Sequence, residues 1–163
     1  MKQIELKLHK ATTNDKQLLF RLLQYSLFEE SATDGNKMNK DGIFEYKWFD
    51  AYFSDTDRET YIFKDASTND ILGFAMVCTH VRLCDAGHSI AEFMVLPSFR
   101  RNKIGENAAV KIFNTHAGFW EVKPSLGSEK AFLFWKNTIQ KHTNNAYEFK
   151  ENVFIFENKK LQK

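Results

Sequence analysis

The spacing of hydrophobic positions changes several times along the chain, and each change marks an expected secondary-structure element. Residues 4–8 alternate apolar and polar side chains, as a strand with one buried face does. A potential capping box runs from Thr12 to Asp15, and leucines follow it at helical spacing at positions 18, 19, 22 and 23. The chain is therefore predicted to begin with a strand and a helix.

The next part of the pattern predicts a loop, a second helix and a β-hairpin. Residues 31–42 are polar and contain two glycines, which indicates a loop, and an aromatic-rich helix is expected after it, through Phe44, Trp48, Phe49 and Tyr52. Residues 61–63 and 71–77 are predicted strands joined by a turn at 65–70. The second strand is apolar on both faces, so it should lie centrally in a sheet.

The second half of the chain continues the alternation of strands and helices. A strand is expected at 90–96, and Ile104, Ala108 and Ile112 then form the apolar stripe of a helix. A short strand at 118–122, a helix at 128–140 and a hairpin of 147–149 with 153–156 complete the order. The predicted order β, α, α, β, β, β, α, β, α, β, β favours one mixed sheet flanked by helices.

Length and composition indicate one compact domain, for which we expect residues 1–163. The chain has 163 residues, is 43% hydrophobic and contains 16 phenylalanines but only two prolines, a composition that favours a packed core over disorder. Its 23 basic and 21 acidic residues give a formal net charge of +2, which argues against a general nucleic-acid or anionic-membrane surface. Any anion site should therefore be local.

Targeting and metal signals are missing from the sequence pattern. The N-terminal segment lacks the apolar core of a signal peptide and no window has the length of a membrane span, so we expect a cytoplasmic protein without a membrane partner. Cys78 and Cys84 have neither CxxC spacing nor a histidine at zinc-ligand spacing. We expect reduced thiols and no metal site.

One segment combines an apolar strand, a basic turn and the start of a helix. It is SIAEFMVLPSFRRNKIGE, residues 89–106. Such a turn directs unpaired N–H groups and the positive end of the helix dipole at one point, which suits a phosphate. Arg100 and Arg101 can add charge-assisted hydrogen bonds, and Gly105 keeps a side chain away where the backbone must approach the ligand. The alternative is an ordinary helix start with solvated basic residues.

The order of elements resembles that of the GCN5-related N-acetyltransferase (GNAT) superfamily along nearly the full chain. The resemblance is strongest from Ser89 to Trp135. The family pattern Arg/Gln-x-x-Gly-x-Gly/Ala falls on residues 100–105, with Lys103 in place of the first glycine. The resemblance implies an α/β (α+β) fold: a mixed, mostly antiparallel sheet of about six to seven strands, about four flanking helices, and a splay between strands 4 and 5.

The same resemblance implies acetyl-coenzyme A as co-substrate. The backbone amides of the turn would hold its pyrophosphate, and the implied contacts are Arg100, Arg101, Asn102, Lys103, Ile104, Gly105 and Glu106. The pantetheine arm would pair with the main chain of Met94, Val95 and Leu96 like an added strand, and Pro97, without an N–H group, would end that strand.

The segment 128–135 is similar to the Asn-x-x-Ala-x-x-x-Tyr helix of the family. Ser128 stands at the position that contacts the pantetheine arm, and Trp135 stands where a tyrosine often protonates the departing thiolate. Because an indole N–H cannot supply a proton near neutral pH, the acid role does not transfer to Trp135.

Glu92 is the candidate catalytic residue. It is a single carboxylate in an apolar run, on the parity of Ile90 and Met94, where desolvation would raise its pKa toward the range of a general base. An amine must lose a proton before or during attack on a thioester, and a glutamate can take that proton through a water. The alternative is a structural glutamate, paired with a lysine or capping a backbone group.

Residues of the first two helices are candidates for binding the acceptor. The resemblance places acceptor specificity here, and Tyr25, Phe28 and Glu29 are the expected contacts, although core packing and a solvated helix end are the alternatives. The same two alternatives, a pocket wall or the core, apply to Trp48, Phe49 and Tyr52.

The sequence therefore predicts an N-acetyltransferase acting on an amine of a small molecule or peptide by direct attack on the thioester, as a monomer or homodimer. The alternative is a non-catalytic acyl-coenzyme A-binding module of the same fold. A third possibility, RNA binding through the basic turn, ranks last because the basic patch is small. We accordingly expect no nucleic-acid partner.

Overall fold

The computed structural model of the protein describes residues 3–159, which form seven strands and four helices. The strands are β1 (Leu6–Lys10), β2 (Arg58–Asp65), β3 (Ile71–Cys78), β4 (His88–Val95), β5 (Gly118–Val122), β6 (Glu148–Lys150) and β7 (Val153–Asn158). The helices are α1 (Lys16–Asp34), α2 (Ala51–Ser54), α3 (Ile104–Phe113) and α4 (Glu129–Thr143). No helix within these residues is long and apolar enough to cross a lipid bilayer.

The seven strands form one sheet in the order β1-β2-β3-β4-β5-β7-β6. Every neighbouring pair is antiparallel except β4 and β5, which are parallel. Their pairing is short, because it joins only His88, Ser89 and Ile90 to the three residues from Trp120 to Val122. Beyond Ile90 the two strands separate. The mixed, mostly antiparallel sheet with a splay between strands 4 and 5 is therefore confirmed.

A β-bulge divides β4 into two parts. Val77 of β3 pairs with Ile90, while the preceding residue Met76 pairs with Glu92, so Ala91 is an extra residue in β4. The simple alternation expected from the sequence put Ile90 and Met94 on one face, and this was wrong. Ile90 packs in the core layer of α3 and α4, whereas Met94 packs in the layer of α1.

The two faces of the sheet are covered by different helices. On one face, α3 and α4 bury Ala108, Ile112 and Ile139 against the sheet. On the other face, α1 buries its leucines together with aromatic residues of the segment that follows it: Leu19, Leu22, Leu23, Leu27, Phe44, Phe49 and Tyr52. The splay between β4 and β5 lies in the sheet that separates these two layers.

The second helix expected from the sequence is mostly absent, since only Ala51–Ser54 is helical. The side-chain amide of Gln24 explains the difference. It accepts a hydrogen bond from the Phe44 N–H (2.8 Å) and donates one to the Phe44 carbonyl (2.9 Å), so both groups are unavailable for helical bonding. In addition, α1 continues to Asp34, inside the expected loop, and ends at Gly35 with a φ of 72°.

Candidate active site

The end of β4 presents unpaired main-chain groups to the splay. The Leu96 N–H donates to the Leu72 carbonyl at 2.8 Å, so Leu96 turns its main chain toward β3. Because main-chain directions alternate along an antiparallel strand, Met94 also faces β3, and Val95 faces the splay. Of the three residues expected to pair with a pantetheine arm, Val95 is therefore the one with the suitable direction.

In this structure the Arg100 side chain is hydrogen-bonded to the main-chain carbonyl of Val95. Its Nε donates to the Val95 carbonyl oxygen at 2.8 Å, and its Nη2 contacts both carboxylate oxygens of Glu29 at 2.9 Å. Glu29 lies near the end of α1, so this arginine joins α1 to the turn after β4. A ligand that used the Val95 carbonyl would have to displace the Arg100 side chain.

The turn between β4 and α3 has two residues with left-handed backbone conformation. These are Arg101, with a φ of 72°, and Lys103, with a φ of 58°. Residues other than glycine pay about 1–2 kcal/mol for this conformation. Lys103 stands at the first glycine of the family pattern, and it keeps the backbone geometry that glycine favours. Arg101, Asn102 and Lys103 are exposed, whereas Ile104 is buried at the start of α3.

Gly105 packs closely against the side chain of Phe134. A Cβ atom on this residue would lie 3.0 Å from Cε2 and 3.2 Å from Cζ of Phe134, and 3.5 Å from Cγ2 of Val95. The sequence analysis expected glycine here so that a ligand could approach the backbone. The contacts with Phe134 give a second reason, which is the close approach of α3 to α4, and the contact of Gly105 with a cofactor stays a prediction. Glu106, the next residue, forms an ion pair with Lys141 of α4 at 3.1 Å.

Ser128 and Trp135 both have structural contacts. The Ser128 Oγ accepts the Ala131 N–H at 3.1 Å and caps the N-terminus of α4. Trp135 is only 6% exposed, and its ring centroid lies 4.9 Å from those of Phe93 and Phe134. Their contact with a cofactor stays a prediction.

Glu92 lies half-buried on the α1 face of the sheet, where its carboxyl is near the side chains of Glu30 and Tyr46. Burial raises the pKa of the Glu92 carboxyl well above its ordinary value, and the negative charge of Glu30 raises it further. Burial also raises the pKa of Glu30, whose Oε1 accepts a hydrogen bond from the Ser26 hydroxyl at 3.4 Å. Among residues 3–159 no lysine forms an ion pair with Glu92, so the lysine-paired alternative is wrong.

The sequence analysis did not assign Glu30 and Tyr46 to the Glu92 environment. Helical spacing contained a signal for the first, because Glu30 follows the buried Leu23 and Leu27 by seven and three residues and so belongs to the buried face of α1. Tyr46 follows the expected loop, in the irregular segment before α2, and no local pattern indicates its contact with β4.

The expected acceptor residues are divided between surface and core. Tyr25 and Phe28 are 61% and 62% exposed on α1, while Phe49 and Tyr52 are buried in the core. An open hollow of about 650 Å³ is lined by Phe20, Ile43, Glu45, Tyr46, Lys47, Phe49 and Asp50. Tyr46 is thus common to this hollow and to the buried surroundings of Glu92.

Comparison with known proteins rests on structure. No protein-family model matches the sequence, and no curated protein sequence matches it either. Solved structures do match: an acetyltransferase of the GNAT family from Staphylococcus aureus has a TM-score of 0.59 and 12% identity, over 95% of this chain and 100% of that one.

Two further matches were solved with ligands. A predicted acetyltransferase from Clostridium acetobutylicum with acetyl-CoA has a TM-score of 0.59 and 15% identity, over 82% of this chain and 88% of that one. Spermidine N-acetyltransferase from Vibrio cholerae, in complex with CoA and spermine, has a TM-score of 0.57 and 7% identity, over 93% of this chain and 95% of that one. At these identities the similarity shows a shared fold, which is the GNAT fold expected from the sequence.

Proposed function

We propose that this protein is an acetyl-coenzyme A-dependent N-acetyltransferase that transfers the acetyl group to an amine of a small molecule or peptide. The observation that carries the proposal is the arrangement along β4. A half-buried carboxyl at Glu92, with a raised pKa, is followed by a main chain that faces the splay at Val95 and by a basic turn that opens α3. A base, an edge for an extended ligand and an anion site thus follow one another within one short segment.

The residues around the splay fit coenzyme A chemically. The Val95 main chain offers a strand edge for the amides of the pantetheine arm, and the first-turn N–H groups of α3 offer donors for a pyrophosphate. Arg101 and Lys103 are exposed beside those donors and add positive charge. When bound, acetyl-coenzyme A supplies the acetyl thioester. Two matching structures contain acetyl-CoA or CoA, which supports this choice of ligand.

The contribution of the protein to the reaction is removal of a proton from the acceptor amine. Glu92 is suited to this because a carboxyl with a raised pKa is a stronger base than an exposed one. The amine then attacks the thioester directly, and no covalent enzyme intermediate is needed. Trp135 cannot protonate the departing thiol, so we assign no protein acid to that step.

The alternative function is a non-catalytic acyl-coenzyme A-binding module. Two observations favour it: Trp135 stands in the place of the tyrosine acid, and Arg100 already occupies the Val95 carbonyl. Measuring binding and turnover on the same preparation separates the two functions.

The experiment combines thermal shifts with an assay of thiol release. We expect coenzyme A to raise the melting temperature, and pantetheine without phosphate groups to raise it far less. Lys103→Gln should reduce the coenzyme A shift, while the control Lys111→Gln, at the far end of α3, should not. With acetyl-coenzyme A and a panel of amines, thiol release that depends on the amine supports the enzyme.

Two results would contradict these expectations. A coenzyme A shift without turnover on any amine would favour the binding module. Equal shifts with coenzyme A and pantetheine would contradict a phosphate site at the start of α3.

A further inference from the structure

We propose that Glu29 sets the affinity of the protein for coenzyme A, because its carboxylate holds the Arg100 side chain on the main-chain carbonyl of Val95, where the pantetheine arm would pair. The inference rests on the proposed function, since it concerns the same cofactor site. It makes α1 a part of that site, although none of the residues expected to contact the cofactor lies on this helix.

Arg100 folds back onto the strand that precedes it. A short 3₁₀ turn, Pro97–Phe99, ends at Arg100, whose Nε donates to the carbonyl oxygen of Val95, the last residue of β4, at 2.8 Å. Its Nη2 contacts both oxygens of the Glu29 carboxylate at 2.9 Å. We refer to these contacts of Arg100 with Val95 and Glu29 as the latch. Because the Val95 main chain faces the splay, the latch lies where an extended ligand would join the strand.

The two contacts of the latch are mechanically linked. A guanidinium group is planar and rigid, and its Nε–H and one Nη2–H bond point outward from the same edge. A movement that takes Nε away from the Val95 carbonyl therefore also changes the contact with Glu29. The side chains of Arg100 and Glu29 are 29% and 45% exposed, so water can replace either partner when the latch opens.

The end of α1 contacts segments on both sides of the splay. On the β4 side the contact is the latch. On the β5 side, a Cβ atom on Gly127, in the loop between β5 and α4, would lie 3.6 Å from the Cβ atom of Thr33, so this loop passes close to the last turn of α1. The end of α1 thus joins the two segments that border the splay.

Arg100 also supplies a positive charge that the end of α1 lacks. The C-terminal end of a helix carries a partial negative charge, which favours cations there. The last turn of α1 contains no basic residue, whereas Glu29, Glu30 and Asp34 are all acidic. Opening the latch removes the cation, so the last turn of α1 should become less stable.

The closed latch competes with the cofactor. Only molecules in which Arg100 has left the Val95 carbonyl can bind a ligand there, so the measured affinity is reduced by the fraction of molecules in the open state. Partly exposed ion pairs are weak, and a latch closed in about two thirds of the molecules is consistent with their strength. The dissociation constant of coenzyme A is then about threefold larger than it is without the latch.

The test is coenzyme A binding, measured by isothermal titration calorimetry, in Glu29→Gln and Glu29→Asp. Both variants keep Arg100 available to the ligand. Glutamine removes the charge that holds the guanidinium, and aspartate keeps the charge but is one methylene shorter. We expect each variant to bind coenzyme A about threefold more tightly than the wild type. Asp34→Asn is the control, because it removes a negative charge from the same end of α1 without touching the latch, and it should change the affinity much less.

The Arg100→Gln background separates the latch from a general effect of charge. The latch is already lost in this background, so adding Glu29→Gln should not tighten coenzyme A binding further. A gain of the same size in both backgrounds would show that the charge of Glu29 acts on the anionic ligand without Arg100, and it would overturn the inference.

A readout separate from affinity is amide hydrogen exchange in the last turn of α1, residues 30–34. Coenzyme A should speed exchange there in the wild type, because it opens the latch, and Glu29→Gln should exchange fast without the ligand. Equal dissociation constants in the wild type and Glu29→Gln, with unchanged exchange, would overturn the inference and leave the proposed function in place. Absence of coenzyme A binding in the wild type and in every variant would instead overturn the proposed function, and the inference with it.

Discussion

Replacement of Glu92 by glutamine should leave the protein as stable as the wild type, or more stable, although it removes the proposed base. The reason lies in the environment of the carboxyl. Glu92 is half-buried, and its partial burial and the negative charge of Glu30 disfavour its own charge in the folded state, so its pKa is raised well above the ordinary value of 4.5, although the Tyr46 hydroxyl acts in the opposite direction. Glutamine has nearly the same shape and never carries the charge. Its amide can donate to Glu30 and accept from Tyr46.

The sign of the pH dependence follows from proton binding. Between the unfolded pKa and the raised folded pKa, the folded state binds more protons than the unfolded state, so the free energy of unfolding falls as the pH rises through this range. The loss amounts to about 1.4 kcal/mol for each unit by which the pKa is raised. It is fully present above the folded pKa. The glutamine variant does not lose this stability.

Urea denaturation at several pH values from about 4 to 8 measures the effect. We expect the wild type to lose stability relative to Glu92→Gln as the pH rises, and turnover of the variant to be lower by about 10²-fold or more. A variant less stable than the wild type by about 3 kcal/mol at neutral pH would refute the reasoning. That result is typical of a buried glutamate that has lost a cationic partner.

Three further predictions concern the turn and the far end of β4. Gly105→Val should destabilise the protein by about 1–3 kcal/mol through overlap with the Phe134 ring. Adding Phe134→Leu should restore part of the loss, and a single variant as stable as the wild type in urea would contradict the packing argument. Lys103→Gly should raise the free energy of unfolding by about 1 kcal/mol, because glycine adopts a φ of 58° without strain; a destabilised variant in the same assay would show that the lysine side chain has a compensating contact. Burial, and then the charge of the stacked His116, lower the pKa of His88, so the free energy of unfolding should fall as the pH drops below about 6.5. His88→Phe should show a smaller loss between pH 7.5 and 5.5, and an equal loss in both proteins would contradict the assignment.

The sequence predicts best those elements whose hydrophobic pattern is strong and local. The β2–β3 hairpin, the strand 118–122 and the α3 stripe of Ile104, Ala108 and Ile112 were all located correctly. These patterns reflect burial of one face or, in β3, of both faces, which one stretch of chain reports by itself. The proximity of Glu92 to Glu30 and Tyr46 was not predicted, because it depends on the packing of α1 against β4.

The local pattern does not report contacts with residues that are distant in sequence. The aromatic segment after the first loop has helical spacing, yet Gln24, twenty residues earlier, binds both main-chain groups of Phe44. The sequence pattern of Gly105 indicated a ligand contact and gave no sign of Phe134, which lies beside it from α4. In each case a residue distant in sequence decides what the local pattern leaves open.

The extra residue at Ala91 has a consequence for how the site is encoded. Ile90 and Glu92 differ by two positions, and in a regular strand they would share one side of the sheet. Because Ala91 is unpaired, Ile90 packs in the layer of α3 and α4, whereas Glu92 and Met94 after the bulge face the layer of α1. The orientation of the Glu92 carboxyl is thus encoded by the number of residues that separate it from Ile90. Deleting Ala91 would therefore turn the Glu92 carboxyl away from the α1 face. It would alter the chemistry of the site although every side chain of the site is kept.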